Sequence, residues 1–203
     1  MPSKQTLDIK IISCGGMIDL MSEMEASFLV NSLGLFRNRQ AHGRATPRAN
    51  VSLVRAYTTT DFYEGISGSE DILHLICHAD ARNLQTGNGK SDVTAAKFTV
   101  RANRGNLLLP PIVVSTGCSF QSVAWRTALQ AAGVRVLIAS TKEVTPANLT
   151  AFDMAFYSAL LSQVRRGIDT EDRVKQAFAL ANDYYKGVHA IGTPYASFQL
   201  ANL

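Results

Sequence analysis

Two short runs of this chain carry no charged residue and leave no continuous polar face: Ile72-Leu73-His74-Leu75-Ile76-Cys77 and Ile112-Val113-Val114-Ser115. A strand with one wet face alternates apolar and polar side chains, whereas a strand that is apolar on both sides needs cover on both. Such strands belong to parallel sheets flanked by helices, which fixes the class of fold before any other residue is considered. His74, the one polar side chain in the first run, reads as a satisfied core histidine.

The rest of the chain supplies the covering elements. Leu7 to Ser13 predicts a first strand, followed by a helix from Leu20 to Leu33 with Leu20, Met21, Met24, Phe28, Leu29 and Leu33 at helical spacing. Gly34 is placed to stop it. Phe36 to Asn50 has no periodicity and contains Arg37, Arg39, Arg44 and Arg48, which predicts an exposed loop. Val51 to Tyr57 predicts a second strand, Thr60 to Ile66 one or two helical turns, and Asp71 to Cys77 the third strand. Asp80 to Asp92 reads as a polar excursion, and Val93 to Asn103 as a helix in preference to a hairpin.

Pro111 to Thr116 predicts the fourth strand. A helix over Gln121 to Ala132 follows, with Val123, Ala124, Ala128, Leu129 and Ala132 on one face. Val134 to Ser140 is the fifth strand. Thr145-Pro146 is a cap and first-turn proline for a helix carrying Leu149, Phe152, Phe156, Leu160 and Val164 and ending at Gly167. Thr170 is read as the cap of a last helix whose Val174, Ala177, Phe178 and Ala181 face inward, and Tyr195 to Leu200 as a closing strand. Five alternations of strand and helix predict a mostly parallel, doubly wound α/β sheet of about six strands, helices on both faces, in a single domain over residues 1–203.

Composition narrows the function classes. At 203 residues, 46% apolar and 18% charged, the chain suits one globular α/β domain. The net charge of +4 is too diffuse to indicate nucleic acid, and no run is long enough for a membrane span. Three cysteines and a start without a leader-like apolar stretch predict a reducing, cytoplasmic setting.

Chemistry concentrates where strands end. Cys14, Cys77 and Cys118 all lie at or just past a predicted strand, and in a doubly wound sheet those ends converge on one crevice. Cys77 alternates away from His78 and reads as a small buried hydrophobe, as Cys14 does with less force. Cys118 follows Gly117 and precedes a helix whose N-terminus favours a thiolate. His78 ends the third strand 40 residues before Cys118. Neighbouring strands would bring the two within about one strand spacing, ~4.8 Å. An imidazole there can shuttle a proton while the thiol attacks a carbonyl, with the backbone N–H groups of Cys118 and Ala79 meeting the oxyanion.

Two other arrangements are weaker. Gly87-Asn88-Gly89-Lys90-Ser91 resembles the end of a phosphate loop, but Leu84 stands where the first glycine belongs. Cys14, Cys77, His78 and Cys118 match no paired-spacing zinc pattern, so neither a metal nor an organic cofactor is predicted.

Asp71-Ile-Leu-His-Leu-Ile-Cys-His78 resembles the histidine strand of the CHAT family, a branch of the caspase-like (clan CD) cysteine peptidases, and Ile112-Val-Val-Ser-Thr-Gly-Cys118 is similar to its cysteine strand. The likeness continues through Ala131 to Ser140, the Val144-Thr-Pro helix entry and Pro194 to Leu200. It implies a caspase-like endopeptidase with a His78–Cys118 dyad, acting on a protein or peptide substrate and dependent on a regulatory protein partner. It also implies a role of the kind such short proteins serve in bacterial antiviral or cell-death systems. The sequence departs from the family at Ala79, where glycine is usual, at Ser119-Phe120-Gln121 for Glu-Thr-Gly, and at Thr116, where enzymes cutting after Arg or Lys often carry aspartate. Thr116, Ser140 and Glu143 are the candidate substrate-pocket residues, with Ser13 and Asp19 as outsiders. The Arg37–Arg48 segment is a candidate self-cleavage or regulatory loop or simply a solvated one. The alternative to a peptidase is an inactive caspase-like scaffold or binding module.

Overall fold

The computed structural model describes residues 6–15, 19–39, 45–87, 91–144, 146–162, 168–188 and 198–203. Its centre is a six-stranded sheet built from β1 (Leu7–Ser13), β4 (Ala49–Arg55), β5 (Ile72–Ile76), β8 (Ile112–Ser115), β9 (Val136–Ser140) and β10 (Phe198–Asn202). The order is β10-β9-β8-β5-β1-β4, and only β10 runs antiparallel to its neighbour. Both uncharged runs occupy the middle: β5 lies between β1 and β8, and every residue of β5 and β8 is buried.

Alternation along each strand divides the core into two layers. Ile9, Ile11, Ile72, Ile76, Ile112, Val114, Val136 and Ile138 face one side, against α1 (Leu20–Leu33), α5 (Pro146–Ser162) and α6 (Thr170–Val188). Ile12, Leu73, Leu75, Val113, Leu137 and Ala139 face the other, against α2 (Thr59–Ile66), α3 (Ala95–Asn103) and α4 (Val123–Ala131). Each fully buried large apolar side chain contributes roughly 1.5–3 kcal/mol, so the two layers hold the central strands from both sides. The predicted fold class is the observed one.

Several local expectations change. The stretch read as a loop over Phe36 to Asn50 contains β2 (Arg37–Arg39) paired with β3 (Ala45–Pro47), and β4 begins at Ala49. Residues 40–44 of the arginine-rich segment lie outside the described residues. The polar excursion after β5 is a hairpin of β6 (Asn83–Thr86) and β7 (Ser91–Thr94), with Leu84 and Thr86 inward and Gln85 outward. Strands of three or four residues leave too little alternation for a periodicity to register.

Helix details shift too. The buried stripe of α1 is Ser22, Glu25, Ala26, Leu29 and Leu33, while Leu20, Met21 and Met24 are exposed. The helix is thus rotated from the orientation its apolar residues suggest. Helix α4 starts at Val123, itself exposed, and is capped by Ser122, whose hydroxyl accepts from the Trp125 N–H. Asp169, not Thr170, supplies the oxygen at the start of α6, accepting from the Asp172 N–H at 3.0 Å. Val164 and Gly167, and residues 195–197 of the expected closing strand, lie outside the described residues. Among the described residues, no helix is long and apolar enough to cross a membrane.

Candidate active site

β5 and β8 are parallel neighbours, and their register pairs Ile72 with Ile112 and Leu75 with Ser115. That offset of 40 residues is also the separation of His78 from Cys118, so each lies three residues beyond the last pair. Both line one cleft of about 330 Å³ at the carboxyl ends of the two strands. Its walls include Met21, Met24 and Phe28 from α1, together with Thr116, Val144 and Leu149. The two methionines that disagree with the buried stripe of α1 are therefore cleft residues.

The backbone beside the cysteine is tightly specified. A Cβ on Gly117 would lie 2.9 Å from Cys77 Sγ and 3.0 Å from Ala79 Cβ, so no larger residue fits between the two strand ends. Ser115 Oγ accepts the Gly117 N–H at 3.1 Å, and both the N–H and the hydroxyl of Thr116 donate to Leu75 O. Ser119 takes a left-handed φ of 52°, a conformation uncommon for a side chain other than glycine or asparagine. Its N–H donates to Lys142 O at 3.2 Å, and the Gln121 side chain reaches Gln199 O at 2.8 Å, anchoring the turn to the flanking strands. Among the described residues, neither the Cys118 nor the Ala79 N–H is engaged in a hydrogen bond.

The cysteine turn is also tied to the histidine loop. Ser122 Oγ donates to Ala81 O at 2.6 Å, and Trp125 Nε1, fully buried, donates to Asp80 O at 3.1 Å. The Asp80 carboxylate caps its own loop, accepting from the N–H groups of Arg82 and Asn83, and those bonds hold it below its ordinary value.

The three cysteines separate by environment. Burial pushes the Cys77 thiol up to about 12 against the bond from Ser115, and the negative field of Glu25 adds to the rise. Burial, with Cys77 beside it, pushes Cys14 well above the usual thiol range. Both remain protonated at neutral pH. Cys118 is the partly exposed one. Its turn spans several residues before α4 begins, so the helix dipole, which fades within a turn, acts on it less than the sequence suggests.

Sequence reasoning missed the partner of His78. Its Nε2 lies 2.9 Å from Asp19 Oδ2, with the imidazole 67% exposed and the carboxylate largely enclosed. Asp19 is also the N-cap of α1 and accepts from the Ser22 hydroxyl at 2.6 Å. Partial burial pushes its carboxyl up, but the Ser22 hydroxyl and N–H and the nearby His78 outweigh that and leave it below its usual value. An aspartate just before a helix is legible as a cap. Nothing local says which loop its second oxygen meets.

The other expected pocket residues disperse. Thr116 lines the cleft. Ser140 is buried with its hydroxyl closed on the Lys142 backbone, Ser13 is buried within β1, and Glu143 is exposed; none of the three is among the cleft residues. Cys14, Cys77, His78 and Cys118 do not gather as ligands. Among the described residues, the set of three or more His, Cys, Asp or Glu side chains with ligand atoms all within 4.8 Å of one another is Glu25, His74 and Asp153, deeper in the same layer.

No protein-family model matches the chain, and no curated protein matches its sequence. Solved structures do match in shape. The Arg-specific cysteine proteinase gingipain R superposes with a TM-score of 0.51 at 14% identity over 91% of this chain and 45% of that one. Caspase-1 from Spodoptera frugiperda gives a TM-score of 0.51 at 11% identity over 98% of this chain and 88% of that one. This chain thus spans less than half the length of the gingipain chain and nearly all of the caspase. Sheet order, layers and these two matches agree: the chain has the caspase-like α/β fold.

Proposed function

We propose that this chain is a cysteine endopeptidase, with Cys118 as nucleophile, His78 as general base and then acid, and Asp19 as the group that orients the imidazole. The observation that carries the reading is the shared cleft: His78 and Cys118 open into it together, while Cys14 and Cys77 are buried. Cys118 Sγ attacks the scissile carbonyl carbon, and its proton passes to His78. The oxyanion accepts from the N–H groups of Cys118 and Ala79, both unengaged. Collapse of the tetrahedral adduct releases the amine with a proton from His78 and leaves a thioester. A water that gives its proton to His78 then hydrolyses it. Asp19 occupies Nε2, so Nδ1 is the nitrogen left for the sulfur.

The apolar walls from Met21, Met24, Phe28, Val144 and Leu149, with Thr116 also lining the cleft, suit a peptide side chain that is apolar where it enters. We extend the proposal to a single peptidase domain of the CHAT type, working in the cytoplasm with a regulatory protein partner. A bacterial defence or cell-death system is its setting. These parts rest on the motif resemblance.

One observation favours an inactive scaffold instead. Ala79 carries a methyl where the family has glycine, and that methyl packs against Gly117 beside the nucleophile. A fluorescent thiol-reactive peptide separates the readings. The peptidase predicts labelling that disappears in Cys118→Ala, together with cleavage of a peptide library by the unsubstituted chain alone. Equal labelling of both proteins, or a library left intact, removes the proposal.

A further inference from the structure

Behind the cleft, in the layer between the sheet and α1 and α5, three groups converge without partners enough to account for their burial. His74 is fully enclosed; its Nδ1 lies 2.8 Å from the Tyr157 hydroxyl, and its Nε2 has no hydrogen-bond partner. That nitrogen faces Glu25 Oε1 at 3.6 Å and Asp153 Oδ2 at 3.8 Å. Glu25 is 8% exposed and Asp153 is fully buried. Outside the cluster, Glu25 Oε1 and both Asp153 carboxylate oxygens also lack hydrogen-bond partners, while the two carboxyls lie close enough to share a proton. Among the described residues, no lysine or arginine pairs with either carboxylate.

We propose that Glu25, His74 and Asp153 form a binding site for a divalent first-row transition metal ion, with Tyr157 fixing the imidazole from behind. Two carboxylates and a neutral imidazole carry a charge of two minus, which one divalent ion cancels; left alone, buried ionised carboxylates are costly. The donor set, two oxygens and a nitrogen, suits zinc, manganese or ferrous iron. Ligands bound at about 2.1 Å around a tetrahedral ion lie about 3.4 Å apart, close to the observed separations. The His74–Tyr157 bond has the form expected of a metal ligand's outer partner: with Nδ1 donating its proton to the phenol oxygen, Nε2 presents a lone pair to the ion. Entry is available from two sides, since Glu25 lines the cleft and Asp153 and Tyr157 line a second cavity of about 260 Å³. The competing account is a cluster neutralised by protons, with a protonated Asp153 bonded to Glu25.

The test uses the full chain carrying Cys118→Ala, so that metal on the cleft thiol is not counted. After chelation, titration with Zn²⁺ against a chromophoric competitor is expected to show one equivalent bound. The thermal midpoint should rise by about 5–10 °C at a hundredfold excess over Kd. Glu25→Gln and Asp153→Asn should each weaken binding by at least about tenfold, and Tyr157→Phe by about 10–100-fold. Co²⁺ should give the visible absorption of a nitrogen–oxygen site without a thiolate charge-transfer band. That spectrum decides the matter even where a carboxamide variant does not fold. Failure to bind one equivalent, binding unchanged in Asp153→Asn, or a thiolate band would overturn the proposal.

Discussion

His74 and His78 lie four residues apart on one strand and its exit, on the same face of the sheet, and each meets one acidic side chain from α1 or its cap, Glu25 and Asp19 respectively. His74 is enclosed among Glu25, Asp153 and Tyr157 with no hydrogen bond to either carboxylate. His78 stands in an open cleft, bonded to the single carboxylate of Asp19. Excess unpaired negative charge in the core has to be neutralised by something bound, whether a metal ion or protons. One carboxylate on an exposed imidazole instead fixes a ring that stays open to the cleft. Depth, more than residue type, separates these two histidines.

The largest contrast comes from removing each ring. In His78→Ala we expect kcat for peptide cleavage to fall by about 10³-fold or more with little change in thermal midpoint. In His74→Gln we expect the reverse emphasis, a lowered midpoint with Cys118 still labelled by a thiol-reactive peptide. A His74→Gln protein as inactive as His78→Ala would collapse the distinction. Next in size is Asp19→Ala, expected to lower kcat by about 10²-fold while Cys118 stays reactive, since the base is present but unpositioned. An unchanged rate would remove Asp19 from the mechanism.

The smallest effect is the most diagnostic for the buried site. Burial first, then Glu25 beside it, pushes the Asp153 carboxyl well above its ordinary value. The native chain therefore keeps a proton that the unfolded chain loses near pH 3.9. That contribution to stability is complete below about pH 4 and drains away as pH rises through the native value. With chelator present, Asp153→Asn should flatten this decline and bring a gain near neutral pH, where most buried substitutions cost about 1 kcal/mol. Urea unfolding across pH measures it, and a slope identical to that of the unsubstituted chain would show that Asp153 does not carry the titration.

How far the sequence alone carries the reader differs between these two sites. Uncharged runs told that β5 and β8 are central, and a count of residues past each strand located His78 and Cys118 at one rim, because parallel register is a one-dimensional quantity. Asp19, an outsider among the pocket candidates, does line the cleft, but its bond to His78 escaped because it depends on how α1 approaches the sheet, which is set by packing. The apolar residues of α1 even point the wrong way: Met21 and Met24 share the helical spacing of Leu29 and Leu33, yet they are exposed and Glu25 is buried. His74 was read as a satisfied core histidine, and only half of it is, since its second nitrogen has no donor or acceptor. The β2–β3 and β6–β7 hairpins were lost to brevity.

Helix α1 has a consequence for where this protein can be cut or exchanged. The motif resemblance starts at Asp71, yet the carboxylate bonded to His78, the cleft residues Met21 and Met24 and one of the three buried groups around His74 come from 19–25. A fragment beginning at residue 71 would retain both members of the proposed dyad and lose the carboxylate that His78 is bonded to. Two such chains with their first 35 residues exchanged would be expected to trade one wall of the cleft while each keeps its own cysteine turn.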